Sequence, residues 1–302
     1  MPTFGAATEL VYVRFHVEKK GSPVERVGRE EIRVLEDGRP QTIVVFETPV
    51  TRERTIPPEV TLAVDVSSSV MDAKLLDEAL LREVFLAGLS EQATIGLCAF
   101  GGELRCFTPP TRDMKALMRG FEETVFFSGV TRHQGTRLYA SVAELCKSAD
   151  GSAAEQPQRA LVVFSDGIDN HGGKVQDAAQ AATLANVRVY AVKLGQAFRE
   201  TAPRSGFGSR SGAPPNRALY DYKKFDLDKL AEDTGGRAYE PGTLDRKSLG
   251  TILHGIATEI RTEYVVGYQP DGSATGKRRR VKVELLDKSL GSIRDGERTL
   301  VR

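Results

Sequence analysis

The chain has 302 residues, enough for two domains at roughly 150 residues each. Its 42 Lys and Arg against 41 Asp and Glu leave a formal net charge of +1, which excludes the basic excess of a dedicated nucleic-acid binder. Forty per cent hydrophobic residues, with 13 Phe and 8 Tyr, exclude a disordered chain, and no apolar run approaches the roughly 18 residues that span a bilayer.

Met1-Pro2-Thr3-Phe4-Gly5-Ala6-Ala7 carries neither a basic nor an apolar leader region, so no signal peptide is read at this start. Residues 8–49 read as strands. Glu9–Val17 alternates, Gly21-Ser22-Pro23 punctuates, Glu31–Leu35 alternates again before Glu36-Asp37-Gly38, and Thr42–Phe46 is a third strand. After Ile56-Pro57-Pro58 the rhythm changes. Val60–Val64 is a short apolar run, Ala73–Leu89 has helical spacing, and Thr94–Phe100 with Leu104–Phe107 reads as a hairpin. A polar loop from Ser128 leads to a helix over Leu138–Ala149. Ala160–Phe164 is a second buried strand, followed by a helix over Val175–Ala185 and the strand Val187–Val192. Buried strands alternating with helices predict βαβ units and a mostly parallel, Rossmann-like doubly wound sheet.

Arg199–Arg217, rich in Gly, Ser, Pro and Arg, reads as a surface loop. A helix over Asp226–Thr234, a Gly235-Gly236 stop, a strand and a helix over Ser248–Ile260 complete the α/β part. Period-2 patterning returns in Tyr264–Tyr268, Arg280–Leu285 and the closing segment. The expected organisation is an N-terminal β segment at 1–56, an α/β domain at 57–262 and a C-terminal β segment at 263–302. Either β segment alone has few strands with which to close a core, so the two are expected to form one small β-sandwich carrying the α/β domain as an insertion, with two small, separate β pieces as the alternative. Three Cys are too few for a disulfide framework. Cys98, Cys106 and Cys146 are expected to be reduced, packed as small apolar groups, with a Cys98–Cys106 cross-strand bridge as the alternative.

Asp65-Val66-Ser67-Ser68-Ser69 stands directly after the buried strand 60–64 and before a helix. Ligands bind at the carboxyl ends of strands in open α/β sheets. A carboxylate followed by alternate hydroxyls supplies hard oxygen donors suited to Mg²⁺, Mn²⁺ or Ca²⁺. The same residue types also cap helices, so the pentapeptide alone fits either role. Phe164-Ser165-Asp166-Gly167 places a second Asp directly after the second buried strand, and Gly135-Thr136 precedes the helix at Leu138. Three loops at one sheet edge thus offer two Asp, two Ser and one Thr.

This order resembles the metal-ion-dependent adhesion site of the von Willebrand factor type A domain family, Asp-x-Ser-x-Ser, then Thr, then Asp, across about 57–262. The resemblance implies that Ser67, Ser69 and Thr136 ligate a divalent cation through hydroxyls, while Asp65 and Asp166 act mainly through bound water. Mg²⁺ is implied first, with Mn²⁺ or Ca²⁺ as alternatives. One coordination position is left for a carboxylate from a partner protein, making the chain an adhesion or protein-interaction module with no enzymatic activity. Arg137 is a candidate contact for that carboxylate; a solvated helix start is its other reading. His133 and His171 are expected to serve in polar loops. The flanks 33–41, 233–238 and 263–268 resemble an acidobacterial group of such proteins, whose members imply export to the periplasm or cell surface.

No catalytic constellation stands out. The four His form no His-Glu-x-x-His and the Cys have no zinc spacing. Gly272-Ser-Ala-Thr-Gly276-Lys277 is one residue short of a phosphate-binding loop and opens no expected helix. Lys277-Arg-Arg-Arg280 reads as an exposed strand face, not a nucleic-acid patch. Two other expectations compete with the adhesion reading: an envelope scaffold retaining the metal site as a relic, and an accessory subunit of a separate ATPase.

Overall fold

A run of apolar residues can form a strand buried on both faces only if helices cover both sides of its sheet. In a computed structural model of the chain, the strands following Pro57 meet that condition. The structure describes residues 10–51, 57–67, 80, 84–85, 87–89, 91–131, 134–147, 158–194, 217–243, 245–270 and 276–301. They belong to two units, one of residues 1–55 with 259–302 and the other of residues 56–258.

In the first unit, β1 (Val11–Lys19), β2 (Ser22–Pro23), β3 (Ile32–Glu36), β4 (Arg39–Gln41) and β5 (Ile43–Glu47) come from the N-terminal part. β12 (Tyr264–Tyr268), β13 (Arg278–Leu285), β14 (Ser292–Arg294) and β15 (Glu297–Val301) come from the C-terminal part. One antiparallel sheet runs β14-β1-β12-β5, with β2 added to β1, and the other runs β15-β13-β3-β4. Alternate residues of both sheets share one core: Val13, Phe15 and Val17, with Tyr264 and Val266, against Ile32, Val34, Val281 and Val283. Strands from both chain ends therefore interleave in a sandwich. Tyr12 is exposed, but two other outward positions of β1 are not solvated as simple alternation predicts. Arg14 is buried 3.8 Å from Glu263, and His16 is buried with Nε2 2.9 Å from the Glu259 carbonyl. Arg279 and Arg280, from the basic run, pair with Asp37 and Glu297.

In the second unit the sheet order is β11-β10-β9-β6-β7-β8. These strands are β6 (Pro58–Asp65), β7 (Thr94–Phe100), β8 (Leu104–Thr111), β9 (Gln158–Ser165), β10 (Val187–Lys193) and β11 (Ala238–Tyr239). All neighbours are parallel except β7 and β8. The unit's helices include α1 (Met114–Thr131), α2 (Leu138–Lys147), α3 (Val175–Leu184), α4 (Arg217–Thr234) and α5 (Arg246–Arg261). One set of strand residues, Ala63, Leu161, Val163, Val189 and Ala191, packs with Leu138, Val142, Ala178, Ala182 and Leu230 of the helices. The residues of opposite parity, Val60, Leu62, Val162 and Phe164, are buried too, so both faces are covered.

Three expectations change. Residues 114–131 are helical, so Ser128 lies within α1 and not in a polar loop. The inward stripe of α1 is Leu117, Gly120, Thr124, Phe127, Ser128 and Thr131, which has helical spacing but few apolar members. The Thr124 and Thr131 hydroxyls donate to the Gly120 and Phe127 carbonyls four residues back, which lets these polar side chains be buried. α4 begins at Arg217, nine residues before the expected start. Cys98 and Cys106 face each other across β7 and β8 and form a disulfide, whereas all three cysteines were expected to be reduced. Cys146 alone is free; it is buried, and desolvation pushes its thiol up to about 12. Of the expected helix over 73–89 only residues 80, 84–85 and 87–89 are described, and all of these but 89 are helical; the expected loop over 199–217 lies outside the described residues except for Arg217.

Candidate metal centre

β6 is the first strand of its sheet, and the chain adds β7 on one side of it and β9 on the other. The order reverses there, and such a switch point opens a crevice at the carboxyl ends of the strands. Asp65 is the last residue of β6 and fully buried in that crevice. Its Oδ1 accepts the Ser67 N–H at 2.9 Å, and its Oδ2 accepts the Ser165 hydroxyl at 2.7 Å. Ser165 ends β9 and in turn accepts the Gly167 N–H, so β6 and β9 are tied at their carboxyl ends.

Asp166 follows β9 and is 8% exposed, and its Oδ1 accepts the Ile168 N–H at 3.0 Å. Gly167 has φ +83°, a left-handed conformation that lets the chain turn immediately after this carboxylate. Burial first, and then the negative charge of Asp166, hold the Asp65 carboxyl well above the usual carboxylate range. A buried carboxylate whose ionisation a neighbouring carboxylate opposes is a setting that a divalent cation neutralises.

Thr136 is buried just before α2. Gly135, with φ +81°, turns the chain into it. The end of β7 anchors the loops on either side: the Val66 N–H donates to the Phe100 carbonyl and the Arg137 N–H to the Gly101 carbonyl, both at 2.9 Å. The Arg137 guanidinium lies 3.7 Å from the Glu144 carboxylate on α2. His171 brings Nε2 within 2.9 Å of the Gln134 carbonyl, a loop contact. The structure thus brings Asp65, Ser67, Thr136 and Asp166 to one end of the sheet. Ser69 and His133 lie outside the described residues. Among the described residues there is no cluster of three or more His, Cys, Asp or Glu suited to a metal. The donor set is instead two carboxylates and neutral hydroxyls, which fits a hard cation that retains water.

The sequence matches the model of the von Willebrand factor type A domain over residues 59–232, more than half of the chain. The chain belongs to that family. None of the curated proteins matches its sequence. Among solved structures, BatB from Bacteroides thetaiotaomicron is 20% identical with a TM-score of 0.48, over 67% of this chain and 98% of that one. A von Willebrand factor type A protein from Catenulispora acidiphila is 12% identical with a TM-score of 0.45, over 99% of this chain and 74% of that one. Proximal thread matrix protein 1 from the mussel byssus, solved with a zinc-occupied metal-ion-dependent adhesion site, is 13% identical with a TM-score of 0.44. The match spans 68% of this chain and 48% of that one.

Sequence reasoning missed the residues that join the loops to one another. Asn170 contacts Thr136 across 34 positions, and Asp169 contacts Tyr139 across 30. Only the closeness of Asp169 and Asn170 to the Asp166-Gly167 turn, with one residue between, marked them in the sequence.

Proposed function

We propose that this von Willebrand factor type A domain protein is a divalent-cation-dependent protein-binding module and not an enzyme. The observation that carries this reading is the buried Asp65 at the switch point, its ionisation opposed by Asp166 on the next strand's loop. In this reading Ser67, Ser69 and Thr136 would hold Mg²⁺, or Mn²⁺ or Ca²⁺, through their hydroxyls. Asp65 and Asp166 would act through the ion's bound waters, which agrees with both Asp65 oxygens already accepting hydrogen bonds from the protein. The same engagement argues against Asp65 as a general base. An ion held mainly by neutral hydroxyls keeps net positive charge, and an acidic side chain of a partner protein would complete its coordination.

Two further features support the reading. The outer side of α1 exposes Val125, Phe126 and Val130, at 63, 80 and 63%, on the helix that leads towards the Thr136 loop. Exposed apolar side chains grouped in this way mark protein contact surfaces. The Cys98–Cys106 disulfide supports an oxidising compartment, as expected of an exported protein. Isothermal titration with Mg²⁺ and Mn²⁺ tests the cation claim. Saturable binding that is lost in Asp65→Ala is expected, and no binding by the wild-type protein, or equal binding by the variant, would sink it.

A further inference from the structure

The described residues of the Thr136 loop, 134–137, form no helix or strand, yet a hydroxyl ligand must be held to within a fraction of an ångström. Three consecutive residues of the Asp166 loop contact it or the start of α2 that follows. The Asn170 side-chain oxygen accepts the Thr136 N–H at 3.2 Å, and the Asn170 N–H donates to the Thr136 carbonyl at 2.9 Å. On one side of this two-point clasp, His171 Nε2 lies 2.9 Å from the Gln134 carbonyl. On the other, Asp169 Oδ2 accepts the Tyr139 N–H at 3.1 Å, one of the donors that the start of α2 leaves without a partner inside the helix. Asp169 is itself fixed, because its Oδ1 accepts the N–H groups of His171 and Gly173. Its negative charge at the amino end of α2 is also favoured by the helix dipole.

We infer that Asn170, supported by Asp169 and His171, is a positioning residue for the cation site: it locks the Thr136 loop to the Asp166 loop so that both sets of donors move as one. This inference rests on the cation reading above. Asn170 is exposed and contributes nothing to the apolar core, so its two bonds to Thr136 are the contacts that give the side chain and its backbone a role here. Residues that orient metal ligands through hydrogen bonds commonly change affinity when replaced, by about 10–100-fold.

The test compares wild type, Asn170→Leu, which removes the acceptor at similar size, and Asn170→Asp, which keeps an acceptor oxygen. Mn²⁺ affinity is measured by titration, and hydrogen exchange of the Thr136 amide is measured without metal. Asn170→Leu is expected to weaken Mn²⁺ binding about tenfold and to speed exchange of the Thr136 amide. Asn170→Asp is expected to return the exchange rate towards wild type, which a general loss of stability would not do. Asn170→Leu that binds Mn²⁺ as wild type does, or leaves the Thr136 amide equally protected, overturns the role of Asn170 alone. A wild-type protein that binds no Mn²⁺ overturns the cation reading, and this role with it.

Discussion

Gly135 offers a perturbation whose size can be worked out beforehand. Its φ of +81° is a conformation that costs an L-residue about 1–2 kcal/mol. A Cβ placed there would lie 3.2 Å from His171 Nε2, so the imidazole would have to give way. If the ring moves off the Gln134 carbonyl, a hydrogen bond contributing about 0.5–1.5 kcal/mol goes with it. Gly135→Ala should therefore destabilise the α/β unit by about 2 kcal/mol. For a unit of this size that is a fall in Tm of roughly 4–8 °C. Gly129 in α1 is the control: it is helical and exposed, and a Cβ there would meet nothing within 4 Å. Gly129→Ala should stabilise by about 0.5–1 kcal/mol through the ordinary preference of helices for Ala. Scanning calorimetry of both variants without added cation reads the two effects with opposite signs. A Gly135→Ala protein melting at or above the wild-type temperature would refute the argument that the loop depends on this backbone conformation.

Four shorter expectations follow from other parts of the molecule. Iodoacetamide should label no cysteine in the native protein, Cys146 alone after denaturation, and Cys98 and Cys106 only after reduction, all readable by mass spectrometry. Tyr264→Phe should destabilise the β-sandwich by about 1–3 kcal/mol in chemical denaturation, because the Tyr264 hydroxyl donates to the Val24 carbonyl and accepts the Val27 N–H. Burial pushes the Tyr264 phenol up to about 12 from an ordinary 10, so its contribution is intact below pH 10 and is lost as pH rises towards 12. Stability followed across that window should fall less in Tyr264→Phe than in wild type. Arg137→Ala should leave Tm nearly unchanged, since its pairing with Glu144 is partly exposed and such pairs contribute about 0–1 kcal/mol.

The buried parallel strands were the most legible features because each is a short, continuous apolar run, and the positions of Asp65 and Asp166 at the carboxyl ends of β6 and β9 were legible because they stand at the ends of such runs. α1 was hidden because its inward stripe uses Gly120, Thr124 and Thr131. A hydrophobicity pattern does not register these residues as core, although helical hydroxyls bonding back to carbonyls can be buried. The disulfide depends on register: Cys98 and Cys106 become partners only when β7 and β8 pair with a bulge between Leu97 and Cys98. The burial of Arg14 and His16 likewise depends on acidic and carbonyl partners more than 240 positions away. The clasp at Asn170 was out of reach for the same reason, since it joins loops that only the finished sheet brings together.

The central claim is that one divalent cation sits among the hydroxyls at the carboxyl end of β6. Anomalous diffraction from crystals soaked in Mn²⁺ tests it most directly. The account predicts a single strong peak bordered by the hydroxyls of Ser67, Ser69 and Thr136, with the carboxylates of Asp65 and Asp166 close by, and its loss in Asp65→Ala. A crystal with no peak there, or with its only peak elsewhere on the protein, would contradict it.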